Sequence, residues 1–366
     1  MPRVTVHLIA AARPNFMKVA PLFHELAATD WARPVLVHTG QHYDHNMSDA
    51  ILADLGLPEP DFHLEVGSGT HAEQTGKVMM ADEQVCAEHR PDWIIVVGDV
   101  NSTVACALVG TKLWIPVVHL EAGLRSLDRR MPEEINRLVT DAIADVLWTP
   151  SADADANLIK EGIEPGKIDR VGNIMIDSFE MLRPAIEAAD TRESLRLEGG
   201  QYALVTLHRP SNVDSAESLK PIVAALLRLS DDLPVVFAAH PRTLKGLVKF
   251  QLHDSLAGAE NIHLLEPLPY VKFMNLVLGA KLVITDSGGL QEETTYLHIP
   301  CLTVRENTER PVTVTMGTNR LVGATTMEEH ARAIMRGNWP SGSCPPLWDG
   351  QTAKRAAGAL RQRSVA

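Results

Sequence analysis

Short apolar runs recur along this chain, and most are followed by a stretch in which apolar residues return every three or four positions. Val4 to Ala10 reads as a strand, followed by a helix from about Asn15 to Ala28 and a strand from Pro34 to Thr39. The pattern returns with strand Trp93 to Val97, helix Ser102 to Trp114 and strand Pro116 to Leu120. Helix Pro132 to Val146 then leads into strand Val146 to Thr149. In that helix Ile135, Leu138, Val139, Ala142 and Val146 form the predicted buried stripe. Such alternation predicts βαβ units and a parallel sheet covered on both faces.

A second series begins with strand Tyr202 to Thr206 and helix Ala216 to Leu229. It continues through strands Pro234 to Ala238 and Ile262 to Leu264, a helix around Val271 to Leu278 and strand Leu282 to Thr285. Cys301 to Val304 closes it. Between the two series lies Asp177 to Gly200, polar, helical in pattern and ending in a glycine pair, which predicts the domain junction. After the small-residue loop Ser341 to Pro346, Thr352 to Arg363 reads as a terminal helix. With 366 residues the chain exceeds one typical core, so the fold class predicted is α/β with two doubly wound, Rossmann-type domains. Ligands of such folds sit at the carboxyl ends of strands, which places the expected site in the cleft between the domains.

Composition narrows the function classes. Hydrophobic residues make up 45% and charged residues 22%, an ordinary globular balance. A formal charge of −12 argues against nucleic acid as a partner, so an anionic ligand needs local basic groups. No apolar run is long enough to span a membrane. Cys86, Cys106, Cys301 and Cys344 are scattered without CxxC spacing, which predicts reduced thiols and a cytoplasmic protein. The fifteen histidines lack HxxxH or HExxH spacing, so no metal is expected.

Chemistry-bearing residues cluster just after the predicted strands. Lys281 to Glu293 reads as a strand that breaks at Asp286-Ser287-Gly288-Gly289 and restarts as a helix. Adjacent glycines and a fresh helix N-terminus suit a phosphate, and Gln291, Glu292 and Glu293 in the first turn suit sugar hydroxyls. An ordinary strand-to-helix turn with acidic capping residues fits the same letters. Arg13 and Lys18 follow the first strand, where they suit phosphate contact or plain solvation. Asp99 and Glu121 close two apolar strands predicted to be neighbours, a costly place for a carboxylate unless it binds something. Glu121 is the stronger functional candidate because Ala122-Gly123 leaves space around it. Glu133 and Arg137 stand four apart on the helix opened by Pro132, the spacing of a site or of a surface ion pair. His208-Arg209 and His240-Pro241-Arg242 each follow a strand, and Arg310 follows the last. Histidines there suit hydrogen bonding or proton transfer to a phosphate leaving group.

Taken together, RPNFMKVAPL, GQHYD, GDVNST, HLEAGLRS, PEEINR, TLHRPSN, HPRT, TDSGGLQEE and ERP closely resemble the non-hydrolysing UDP-N-acetylglucosamine 2-epimerases, from Arg13 to about Gly323. The resemblance implies a GT-B-like fold, with residues 1–175 and the terminal helix 350–366 in one domain and 176–349 in a UDP-binding domain. It implies an isomerase that inverts C2 of UDP-GlcNAc to give UDP-ManNAc. UDP is eliminated across C1–C2 to leave 2-acetamidoglucal, then added back, with no cofactor. By the same resemblance Arg13, His208, Ser287, Gly288, Gly289, Glu293 and Arg310 bind UDP, with His240 beside them. Lys18, Asp99, Glu121, Glu133 and Arg137 fall at catalytic positions, and His208 stabilises the departing UDP. Asp99, Glu121 and Glu133 divide base and acid duties on the two faces of C2. A homodimer serving bacterial surface polysaccharide synthesis is implied as well.

Two departures from the family pattern stand out. The loop between Asp128 and Met131 is shorter than in many members. Many bacterial members are activated by UDP-GlcNAc at a second site built on Gln-His-x-Gln and a later Arg. Here Gln41 and His42 remain, Asp44 replaces the second Gln, and Gly67 to His71 offers no Arg. With Arg209 as the remaining candidate allosteric group, direct substrate activation is expected to be weak or altered. Rival readings are a 2-epimerase of a 2,3-diacetamido uronic acid nucleotide, a hydrolysing epimerase, a GT-B glycosyltransferase and a silent UDP-sugar-binding module. A uronate substrate would call on a cation such as Arg125, Arg129 or Arg130.

Overall fold

A computed structural model describes residues 3–40 and 52–365. It divides into two compact units, residues 1–181 with 346–366 and residues 182–345. In the first, the apolar runs become strands β1 (Val4–Ala10), β2 (Ala32–His38), β4 (Trp93–Val97), β5 (Val117–Leu120) and β6 (Val146–Thr149). Two short strands without a clear apolar signature, β3 (Phe62–His63) and β7 (Ile168–Arg170), finish the edges. The strands are parallel in the order β3-β2-β1-β4-β5-β6-β7. Both faces carry helices, which is why Ile94, Ile95, Val96 and Val97 are all buried rather than alternating.

The second unit repeats this topology with β8 (Ala203–Thr206), β9 (Val235–Ala238), β10 (Ile262–Leu265), β11 (Leu282–Thr285), β12 (Cys301–Val304) and β13 (Asn319–Val322). Its order is β10-β9-β8-β11-β12-β13, again parallel. The sheet therefore runs one strand beyond Cys301–Val304. Asn319–Val322 is short and follows a loop, so its pattern alone did not mark it as a strand. In both units the strand order reverses at the first strand, between β1 and β4 and between β8 and β11. Such switch points open a crevice at the carboxyl ends of the strands.

The terminal helix Thr352–Val365 belongs to the first unit. Ala353 N donates to Asp177 Oδ1 at 2.8 Å, and Arg363 Nε to Asp169 Oδ2 at 3.0 Å.

One helix inverts its expected orientation. In Pro132–Ile143 the buried residues are Glu134, Arg137, Thr140 and Asp141. The predicted stripe faces outward, with Ile135 37% exposed, Ala142 exposed, and Leu138 and Val139 half-buried; Val146 is buried as part of β6. Apolar periodicity fails here because each inward-facing charge has a partner, which removes the usual penalty for burying it.

A second buried charge lacks such compensation. Asp82, on the helix His71–Glu88, is wholly buried, and neither of its carboxylate oxygens makes a hydrogen bond to a described residue of standard geometry. The thiol of Cys106 lies beside it, and burial pushes the carboxyl from 3.8 up to about 7. A raised carboxyl favours folding only while it is neutral. Its contribution is fully present below the unfolded value and is lost as pH climbs through the folded one. Asp82→Asn is therefore expected to gain up to roughly 4 kcal/mol over the native chain between about pH 4 and about pH 8. Urea unfolding across that range checks it, and parallel stability curves for the two proteins would refute it.

Candidate active site

At the switch point of the first unit, four charged side chains form two pairs. Lys18, on the helix Arg13–Ala27 after β1, pairs with Glu121 Oε2 at the end of β5. Arg137 Nη1 pairs with Asp99 Oδ2 at the end of β4, at 2.5 Å. Arg137 is itself locked by Glu134, whose Oε2 lies 2.6 Å from Nη2 and 3.0 Å from Nε. Glu134 also accepts from Ser126 N at 3.0 Å and Leu127 N at 2.9 Å. Burial alone would raise the Glu134 carboxyl, but the Ser126 amide and the Arg137 guanidinium outweigh it and hold it below the usual range. The i,i+4 pairing of Glu133 with Arg137 is not formed. Glu133 lies exposed in the first turn of its helix, and the arginine turns inward to Asp99 and Glu134.

Glu121 is buried, and its Oε1 has no hydrogen-bond partner among the described residues. Its backbone sits at φ 72°, a left-handed conformation that a non-glycine residue adopts only when its surroundings enforce it. The enforcement is visible: the amides of Glu121 and Ala122 both donate to Trp148 O at 3.1 Å. Space beside the carboxylate comes from Gly98 rather than from Ala122-Gly123. A Cβ on Gly98 would lie 3.1 Å from Lys18 Nζ and 3.5 Å from Glu121 Oε2, and Gly98 itself has φ 69°. Gly123 serves packing instead, against the carbonyl of Ala154. Asn15 Nδ2 donates to Val97 O at 3.1 Å and Asn136 Nδ2 to Asp99 O at 2.9 Å, so the end of β4 is tied down from two sides. Arg13 opens its helix, but its side chain lies outside the described part, as do Gln41 and His42.

In the second unit the organising residue is Asp286, which sequence reasoning passed over as part of the turn. It is wholly buried at the end of β11. It accepts from His208 N at 3.0 Å, Arg209 N at 2.9 Å and Asn212 Nδ2 at 2.9 Å, and His208 Nδ1 lies 2.8 Å from its Oδ1. Burial works against its ionisation, but these bonds, led by His208, hold the carboxyl below the usual range. His208 thus points Nδ1 at a carboxylate and keeps its side chain 41% exposed, with Nε2 left for a ligand. The His240 ring is 5.7 Å away and its Nδ1 accepts from Arg242 N at 3.2 Å. Burial, then the neighbouring His208 and Arg242, lower the basicity of His240.

Ser287 caps the helix Gly288–Tyr296 through its backbone, with its side chain free of a capping bond. A Cβ on Gly288 would lie 2.7 Å from Arg310 Nη1 and 2.8 Å from Glu309 Oε1, whereas Gly289 faces open space. Arg310 pairs with Glu292 at 3.0 Å and Glu309 at 2.8 Å, and Arg305 with Glu309 at 2.8 Å. Glu309 is a further site residue that the sequence did not single out. Although burial opposes it, Arg310 and Arg305 drive its carboxyl far below the usual range.

Of the three acidic or amide residues expected to meet sugar hydroxyls, two are committed internally. Gln291 bonds Ser287 O, Thr308 and Asn319, and Glu292 faces Arg310. Glu293 takes a hydrogen bond from Tyr270 Oη at 2.6 Å, and burial raises its carboxyl to about 7. Arg209, the candidate allosteric group, spends Nε on Asp286 O at 3.0 Å and faces Glu309 at 3.7 Å. The described residues contain no cluster of His, Cys, Asp and Glu fit to hold a metal ion, and no helix long and apolar enough to cross a membrane.

Known proteins resemble this chain in sequence and in fold. A UDP-N-acetylglucosamine 2-epimerase from Methanocaldococcus jannaschii is 44% identical over 326 residues, covering 86% of this chain and 87% of its own. A UDP-2,3-diacetamido-2,3-dideoxy-D-glucuronate 2-epimerase from Pseudomonas aeruginosa is 40% identical over 319 residues, covering 86% and 87%. The crystal structure of the M. jannaschii UDP-GlcNAc 2-epimerase in complex with UDP-GlcNAc and UDP superposes with a TM-score of 0.88 at 40% identity, over 98% of this chain and 100% of that one. The family model for UDP-N-acetylglucosamine 2-epimerase matches residues 24–361, and the chain belongs to that family.

Proposed function

We propose that this protein is a non-hydrolysing UDP-GlcNAc 2-epimerase that interconverts UDP-GlcNAc and UDP-ManNAc by eliminating and re-adding UDP. The observation that carries the reading is the pair of carboxylates at the ends of β4 and β5, each held beside its own cation. In the forward direction a carboxylate takes the C2 proton. The C2–H electron pair becomes the C1=C2 double bond, and the C1–O pair leaves with UDP. In the return step UDP oxygen attacks C1 while a carboxylic acid delivers a proton to the other face of C2. The cycle is redox-neutral.

Glu121 suits the base role because Lys18 neutralises one oxygen while Oε1 has no hydrogen-bond partner among the described residues. Asp99 and Glu133 are then the candidates for protonation from the other face, Asp99 being the one fixed by Arg137. On the diphosphate, the glycine-lined helix start after Ser287 supplies backbone N–H groups. His208, backed by Asp286, supplies the donor that the leaving oxygen needs. Arg310 is largely neutralised by Glu292 and Glu309, so charge at that turn is balanced before a ligand arrives and the helix N-terminus matters more. Glu293, with Tyr270, is the candidate for the ribose hydroxyls. Family likeness supports a cytoplasmic homodimer feeding surface polysaccharide synthesis.

The P. aeruginosa relative makes a uronate substrate the second reading. Two of the three arginines that could serve it are occupied: Arg125 faces Asp141 and Glu161, and Arg130 faces Asp128. Proton NMR of the purified protein in D₂O with UDP-GlcNAc, and separately with the diacetamido-glucuronate nucleotide, decides between them. Deuterium at C2 and appearance of UDP-ManNAc is the expected result. Exchange with the uronate alone would transfer the reading to that substrate, and release of free ManNAc would make the enzyme a hydrolase. Neither sugar exchanging would overturn the proposal.

A further inference from the structure

Beneath the two carboxylates of the first unit lies a charged chain of contacts that no step of the proposed reaction uses. His119, on β5, is wholly buried, with Nε2 2.8 Å from Gly98 O and Nδ1 2.6 Å from Asp141 Oδ1. Both ring nitrogens are therefore engaged, one by the Gly98 carbonyl and the other by the Asp141 carboxylate. Asp141 Oδ2 in turn accepts from Gly123 N at 3.0 Å and faces Arg125 Nη2 at 2.7 Å. Arg125 is buried and reaches on to Glu161 at 2.7 Å. Burial would raise the Asp141 carboxyl, but the His119 ring and the Arg125 guanidinium overcome it and hold it low.

The path matters because of what it joins. Gly98 precedes Asp99, and Gly123 follows Glu121 by two residues. Both glycines and Glu121 hold left-handed backbone conformations, φ 69°, 81° and 72°. Glycine takes that shape freely, but Glu121 keeps it only when its surroundings fix it. A structural role in filling the core would be met by an apolar side chain at 119, since His119 sits among the apolar residues of β5. Instead Nε2 bonds to the turn before Asp99, and Nδ1 bonds to Asp141, which in turn accepts from the turn after Glu121.

We propose that His119, with Asp141, is a positioning residue that fixes the Asp99 turn against the Glu121 turn. This rests on the acid–base reading of those two carboxylates. Asp141 is reached from the sequence only through the buried face of the helix Pro132–Ile143, where it looks like a solvent residue.

The test compares His119→Ala, His119→Gln and Asp141→Asn. Glutamine can extend an amide N–H toward Gly98 O, while alanine cannot. Misplacement on the order of 1 Å at a reacting centre costs roughly 10²-fold in turnover. The expected result is therefore a loss of that order in kcat for the alanine variant, little change in KM or UDP affinity, and partial recovery in the glutamine variant. Hydrogen exchange of the Gly123 amide, read by mass spectrometry or NMR, should quicken in the alanine and Asp141→Asn variants while the core strands stay protected. That readout needs no activity, so it survives if the wild-type protein turns out not to epimerise UDP-GlcNAc. A folded alanine variant with unchanged turnover, or with unchanged exchange at Gly123, overturns the proposal. Should the alanine variant fail to fold, the glutamine and Asp141→Asn variants must still split, glutamine retaining more turnover, or the proposal falls.

Discussion

Glu121→Gln is expected to lower turnover by about 10²- to 10⁴-fold, the usual contribution of one general acid or base, while UDP affinity is unchanged. Glutamine keeps the shape of the buried side chain and its contact with Lys18, so the fold around Gly98 should persist. What it lacks is the charge that takes the C2 proton. Deuterium incorporation at C2 should fall in step with turnover, because both pass through proton removal. Asp99→Asn should cost a similar factor, with the added consequence that Arg137 keeps Glu134 as its only carboxylate partner in the pairs seen here. Turnover in a D₂O exchange assay, with UDP binding by calorimetry as the control, separates chemistry from binding. If Asp99→Asn, Glu121→Gln and Glu133→Gln each kept more than about a tenth of wild-type turnover, the acid–base assignment would be untenable.

The sheets were legible because parallel strands buried on both faces read as unbroken apolar runs. Trp93–Val97, Val146–Thr149, Leu282–Thr285 and Cys301–Val304 appear with the bounds their pattern predicts. Three edge strands, Phe62–His63, Ile168–Arg170 and Asn319–Val322, carry no such run and stayed hidden. The strand-end positions of Lys18, Asp99, Glu121, His208 and Ser287 were legible too, since turns after strands announce themselves through Gly, Pro and charged residues. What periodicity could not show is which charges face inward. Glu134, Asp141, Asp286 and Glu309 look in sequence like the solvent face of a helix, a turn residue or part of a loop. Each is buried because a specific arginine, histidine or row of amides meets it in three dimensions. A rule that scores apolar residues as inward therefore inverted Pro132–Ile143. It did so at the helix that carries the arginine facing Asp99.

Asp286→Ala should be the most damaging single change to the second unit, because one buried carboxylate there satisfies four groups. Its removal leaves the amides of His208 and Arg209 and the amide group of Asn212 facing a void, and His208 without its partner. Breaking a buried charged contact of this kind typically costs about 3–5 kcal/mol. Asp286→Asn should lose less, since its oxygen can still accept from one of the backbone donors, yet it cannot hold His208 by charge. UDP affinity should therefore drop in both variants, and stability mainly in the alanine one. The pH dependence follows from the lowered carboxyl. Its stabilisation is present above the unfolded value of 3.8 and is lost as pH falls through the lower folded value, so the gap between wild type and alanine should narrow only in acid. Urea unfolding of the three proteins, at neutral pH and again below about pH 3, tests this. An alanine variant within about 1 kcal/mol of wild type at neutral pH would mean that His208 and Arg209 are held by something other than Asp286. In that case the donor poised for the leaving oxygen would need a different support.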